Sequence, residues 1–255
     1  MSARRTGTTA VNVRQARHPR QVTAVPPVTA PTGHPYFAAQ TADSPLVQLL
    51  LDEASGTTAA DSSGNGRNGT YSGAYTLGSA PIGSNGTAST AFAGGRVTVA
   101  DAAWMDTDSW TVEALIYSTT ANYYRNWAAR DNGGAERLWM GLLEGGKPGD
   151  LACNTSNTIY YNAATAGSAF SLNTAYHVTI RWDSATHKFE AFTNGTLQFA
   201  ATTTGTAKTG AQPITLATNA VGDSPFAGRI SHFAFYGAAL SNARILAHAQ
   251  AAGLA

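Results

Sequence analysis

An all-β fold, a two-sheet antiparallel jelly-roll sandwich, is what this sequence predicts, and three observations lead to it. Charged residues are only 12% of the 255, about half the roughly 25% usual in globular domains. Gly, Ala, Thr and Ser fill the difference and punctuate the chain with turn signals. Between those signals, short runs alternate apolar and polar residues at the two-residue period of a strand, with no helical stretch interleaved, which argues against a βαβ architecture.

The elements follow in order. Residues 1–44 hold Arg4, Arg5, Arg14, Arg17 and Arg20 against Asp43 alone, and RHPRQVTAVPPVTAPTGHP has neither helical nor strand periodicity. Such a segment favours extended, polyproline-like backbone and cannot bury enough apolar surface to order by itself. It is expected to be an extended basic, Pro-rich arm. The jelly roll is expected over 45–255. PLVQLLLDE opens it and RVTVA follows at 96–100. In WTVEALIYS, Trp110, Val112, Ala114 and Ile116 share one face and Thr111, Glu113, Leu115 and Tyr117 the other. YHVTIRWD divides the same way, with Tyr176, Val178, Ile180 and Trp182 opposite His177, Thr179 and Arg181. Asn194-Gly195 between KFEAFT and TLQFAAT is the strongest short-range hairpin signal, and GRISHFAFYG reads as a further strand. A short C-terminal helix closes the chain, with Ser241 as N-cap, Leu240 and Ile245 as a hydrophobic staple, and Gly253 at the position after its end.

Composition excludes several classes. No apolar run reaches the roughly 18 residues of a membrane-spanning helix, so no membrane partner is expected. Cys153 is the single cysteine and can form no intrachain disulfide. The start lacks the apolar core of a secretory signal, and Pro19, Pro26, Pro27 and Pro31 would break the amphipathic helix of a transit peptide. Five arginines without interleaved aromatics make only a modest basic patch, so nucleic acid is not the expected partner.

The stretch DSSGNGRNGT at 61–70 fits parts of three motifs. Gly64, Gly66 and Gly69 have G-x-G-x-x-G spacing, but the strand before and helix after that a dinucleotide site needs are missing. Asp61, Ser63, Asn65 and Gly66 match the start of an EF-hand loop, yet its twelfth position is Ser72 instead of a bidentate Glu. Two readings stay open: an Asx-rich turn without metal, or a turn in which Asp61, Ser63 and Asn65 give oxygen ligands to calcium.

LLLDEASGTTAADSSGNGRNGTYSG resembles the opening of the laminin-G-like (concanavalin A-like) jelly-roll family of bacteria and their viruses. Three further blocks agree in order: TAFAGGRVTVADAAWMDTDSWTVEALIY, YHVTIRWDSATHKFEAFTNGTLQ and FAGRISHFAFYGAALSNARILAHAQA. The resemblance covers residues 45–253 and implies the sandwich. It also implies an acidic pair in the last strand that helps hold calcium. Ser231-His232 stands there instead, which removes charged oxygen ligands and weakens the calcium reading.

Catalysis is not expected. The alternating E-x-D-x-x-E carboxylates of jelly-roll glucanases are missing, as are G-x-S-x-G and H-E-x-x-H, and His177 and His187 read as exposed strand and turn residues. Binding is the better expectation. ANYYRNW at 121–127 and IYYNA at 159–163 offer Tyr123, Tyr124, Trp127, Tyr160 and Tyr161 as faces that stack on a glycan. The alternative for each is the core, which Trp127 and Trp139 favour more than the tyrosines. The whole is expected to be a structural protein of a tailed-bacteriophage virion, a minor tail or capsid decoration protein and a homo-oligomer. Its arm would grip other virion proteins through the five arginines, and its module would meet host-surface glycan. A free carbohydrate-binding module or bacterial surface adhesin is the alternative.

Overall fold

The computed structural model describes residues 34–84, 86–120, 125–131, 137–142, 148–155, 158–162, 170–202, 212–223 and 225–255, with the strand backbone alone for 131, 137–142, 148–155 and 158–162. Arg4, Arg5, Arg14, Arg17, Arg20, Tyr123 and Tyr124 lie outside these residues.

Among the described residues sixteen strands make two antiparallel sheets of eight. The first sheet runs β14 (Thr196–Thr202), β13 (Lys188–Thr193), β12 (Ala175–Asp183), β7 (Trp110–Ser118), β16 (Ala227–Tyr236), β5 (Ser89–Ala93), β4 (Tyr75–Ser79), and β1 (Val47–Leu49) pairs the far half of β16. The second runs β11 (Thr158–Asn162), β10 (Pro148–Thr155), β9 (Arg137–Leu142), β8 (Arg125–Asp131), β15 (Ile214–Leu216), β6 (Arg96–Val99), β3 (Gly69–Ser72), β2 (Thr58–Ala59). Neighbours distant in sequence, such as β7 between β12 and β16, give the sandwich its crossovers.

Alternation decides which side chains meet between the sheets. Trp110, Val112, Ala114 and Ile116 enter the main core, facing Val97, Leu216 and Trp127 of the second sheet. Val178, Ile180 and Trp182 join them, and the Trp182 ring lies 4.5 Å from that of Phe189. Each buried Val or Ile among them contributes about 1.5–3 kcal/mol by leaving water. The hairpin turn is as read: Asn194 (φ 50°) and Gly195 (φ 75°) both adopt the positive φ of a type I′ turn.

The opposite face of the first sheet is where expectation and structure part. Its polar pattern suits solvent, yet Thr111, Glu113, His177 and Thr179 are at most 1% exposed. Two helices cover it. Helix α2 (Asn242–Ala251) begins as predicted, the Ser241 hydroxyl accepting from Arg244 N–H, with Leu240 and Ile245 in one cluster with Phe192 and Tyr236. Helix α1 (Pro35–Ala42) corrects the arm's boundary, because 35–42 are helical and packed on the domain instead of extended. Pro35 is pre-set for a first helical position, and His34 before it is extended (φ −99°, ψ 100°) as a residue preceding proline must be. Tyr36, Phe37 and Gln40 then fall on one helical face and are buried.

Candidate functional site

The loop at 61–68 fitted parts of three motifs in the sequence. Asp61 closes it, with each carboxylate oxygen accepting twice. Oδ1 takes Gln48 N–H (3.0 Å) and Ser63 N–H (2.9 Å); Oδ2 takes the Ser63 hydroxyl (2.9 Å) and Arg67 N–H (2.8 Å). Asn65 Nδ2 and Arg67 Nη1 donate to the Leu46 carbonyl at 3.0 and 2.6 Å, and the Arg67 guanidinium stacks 4.2 Å above Trp104. Asp61, Ser63 and Asn65 are therefore together, as expected, but their arrangement does not fit calcium. The acceptor sites of Asp61 are filled by protein donors, and the Leu46 carbonyl already accepts from Asn65 and Arg67. It is an Asx turn that ties β1 to β2 and β3.

Where the resemblance implies an acidic pair, β16 carries a bulge between Ser231 and Ala234. His232 takes φ 53° there, fully buried, its N–H bonded to the Leu50 carbonyl and its carbonyl to Gln40 Nε2. Burial first, and then the nearby His34, pull its imidazole down to about 3. This position is neutral near pH 7.

Behind it lies a buried polar cluster that sequence reasoning missed. Glu113, on β7, is fully buried. Oε1 accepts from Gln40 Nε2 (3.0 Å), Tyr236 Oη (2.6 Å) and His248 Nδ1 (3.0 Å), and Oε2 from His177 Nε2 (2.9 Å). His248 Nε2 lies 2.9 Å from Asp43, which also pairs with Arg244. Burial alone would raise the Glu113 pKa, but the hydrogen bonds and charge of His177 and His248 hold it well below the ordinary carboxylate range. His177, read as exposed, is 0% exposed because the helices cover its face; His187 is an exposed turn residue as read. Glu190, the other carboxylate on this face, is held by Arg181. Each of these carboxylates serves to pin the helices and strands. The signal that marked the cluster was present but dispersed: Gln40, Glu113, His177, Tyr236 and His248 come from five elements.

Trp127 is corrected too. It is 1% exposed within the main core and offers no face to a sugar. The side chains of Tyr160 and Tyr161, on edge strand β11, lie outside the described residues.

An open cleft of about 330 Å³ lies at one end of the second sheet. Ser72 from β3, Gly73, Gly94, Arg96 from β6, and Thr218, Val221 and Gly222 from the loop after β15 line it. Register places Ser72 opposite Arg96, and Arg96 Nη1 donates to the Ala220 carbonyl (2.9 Å). Thr218 Oγ1 donates to the Asp223 carbonyl (2.8 Å), which shapes the loop. The same loop is joined to the start of β8: Arg125 Nη1 donates to the Pro225 carbonyl, and Asn126 bridges Pro225. The start of β8 thus lies at the end of the sheet where the cleft opens. Polar side chains, bare glycine backbone and one cation in an open depression suit a polar, multiply hydroxylated ligand.

A family model described as the concanavalin A-like lectin/glucanases superfamily matches residues 89–246. No curated protein matches the sequence. Among solved structures, domain 4 of the extracellular arabinanase AbnA from Geobacillus stearothermophilus, in complex with arabinotriose, is similar with a TM-score of 0.62 at 18% identity, covering 81% of this chain and 98% of that one. Trypanosoma rangeli sialidase in complex with sialic acid gives 0.57 at 13% identity, covering 81% of this chain and 33% of that one. These likenesses support the two-sheet fold.

Proposed function

The chain belongs to the concanavalin A-like lectin/glucanases superfamily, and we propose that it is a non-catalytic glycan-binding module, carried on a tailed-bacteriophage virion by its basic N-terminal segment. The observation that carries the binding reading is the cleft at 72–73, 94–96 and 218–222, built from three separate chain segments at a sandwich end, where binding residues concentrate. Domain 4 of the arabinanase, a module of like fold over nearly its whole length, was solved with an arabino-oligosaccharide. The non-catalytic reading is supported by Glu113 and Glu190, whose carboxyls are tied to histidines and arginine beneath the helices, out of reach of a glycosidic bond. The virion reading rests on the arginines and prolines of the segment before Pro35, a composition that orders by gripping neighbouring subunits, with the module itself as a homo-oligomer.

Two assays test it. A glycan array probed with the full chain is expected to give a saccharide-specific signal; an empty array contradicts the binding reading. Deleting 1–33 is expected to abolish incorporation into phage particles. Retained glycan binding by a protein that never enters particles in either form favours a free binding module or adhesin instead.

A further inference from the structure

We propose that the cleft selects carboxylated sugars, with Arg96 as the specificity-determining residue; this rests on the glycan-binding reading of the same cleft. Among the residues lining it, Arg96 is the one charged side chain. A guanidinium carries five N–H donors and stays cationic throughout the physiological range. Nη1 is spent on the Ala220 carbonyl, which fixes the side chain against the 217–223 loop, and no carboxylate pairs with it among the described residues. The remaining edge of the fork is a fixed, half-buried cationic donor set, the geometry that matches a carboxylate. Around it the wall is uncharged: Ser72 and Thr218 are hydroxyls, and Val221 is 55% exposed. At Gly94 (φ 101°) and Gly222 (φ 86°) a Cβ would meet nothing within 4 Å, so bare backbone borders open space where a ring can approach closely. A neutral sugar finds hydroxyl partners there but leaves the cation unmatched. An acidic one matches it.

The test uses the full chain and calorimetric titration with two pairs of probes: an oligouronic acid and the same oligomer with its carboxyls reduced to alcohols, and a sialylated trisaccharide and its asialo counterpart. The acidic form of one pair is expected to bind about tenfold tighter than its neutral form, the factor that about 1.4 kcal/mol represents, and the pair that shows it identifies the acid. The preference is expected to shrink as salt rises, to vanish in Arg96→Gln and to survive in Arg96→Lys. Val221→Asp, at an exposed position that leaves the Arg96–Ala220 bond intact, is expected to erase it by repulsion. Equal affinity for acidic and neutral forms, or a preference unchanged by both Arg96→Gln and Val221→Asp, overturns the proposal while leaving neutral glycan binding standing. Failure of every saccharide to bind, there and on the array, overturns the glycan reading with it.

Discussion

Glu113 shows how one residue can organise a layer. Its carboxylate gathers donors from α1, α2, β12 and β16, so it links both helices to the sheet they cover. Removing one partner from a buried charged cluster leaves the others desolvated and costs about 3–5 kcal/mol. Glu113→Gln is therefore expected to lower unfolding free energy by about that amount in urea titrations, whereas a change under about 1 kcal/mol would mean the cluster is solvated. His232 makes a separate, pH-dependent contribution. Its folded-state value of about 3 lies below the ordinary 6.5, so the unfolded chain binds a proton the native state refuses. Stability from this group is present above pH 6.5 and lost as pH falls toward about 3. His248 acts in the other direction. Burial would depress it, but Glu113 and Asp43 raise it, so its contribution is full below 6.5 and lost as pH climbs through its raised value. Replacing His232 with Asn, a residue that tolerates positive φ, is expected to flatten the acid limb in a series of denaturation curves from pH 4 to 9. An unaltered acid limb would assign that loss to other groups.

At the scale of elements, α1 separates what the chain announces from what it conceals. Pro35 falls within the stretch read as an extended Pro-rich arm and also suits a helix start; neighbouring prolines made the extended reading natural, and only packing distinguishes the two. Tyr36 and Phe37 are buried against the sheet, and Gln40 donates to Glu113. Deleting 1–33 is expected to leave the thermal midpoint unchanged. Deleting 1–43 strips two buried aromatics and a donor, and is expected to cost several kcal/mol on the scale of about 3–5 for one buried Phe. Equal midpoints for both truncations would contradict the assignment of α1 to the domain. By contrast, the β13–β14 turn and the α2 cap were plain in the sequence. Each depends on local backbone chemistry at Asn194, Gly195, Ser241 and Gly253. Even there the sequence hid a tertiary reason. A Cβ on Gly195 would come within 2.9 Å of the Leu246 backbone, so α2 presses on the turn.

For the molecule as a whole, the sandwich was legible because its inner faces obey a two-residue period along each strand and its turn residues recur. The cover was not. Thr111, Glu113, His177, Thr179 and Arg181 alternate as solvent-facing residues do, and only helices from the two ends of the described chain turn that face into an interior. The DSSGNG loop left two readings open for a related reason, since oxygen-rich Asx turns and calcium loops draw on the same residues and differ only in where the donors point. The cleft could not be foreseen at all, since β3, β6 and the loop after β15 meet only through long-range pairing. The helices cover the middle of the first sheet's outer face, and the proposed ligand cleft lies elsewhere, at that end of the second sheet. Backbone amide NMR of the full chain, titrated with the tightest saccharide from the array, tests this most directly. Shifts are expected to concentrate at 72–73, 94–96 and 218–222. Shifts confined to α1, α2 and the Glu113 layer, or to the 61–68 turn, would contradict it.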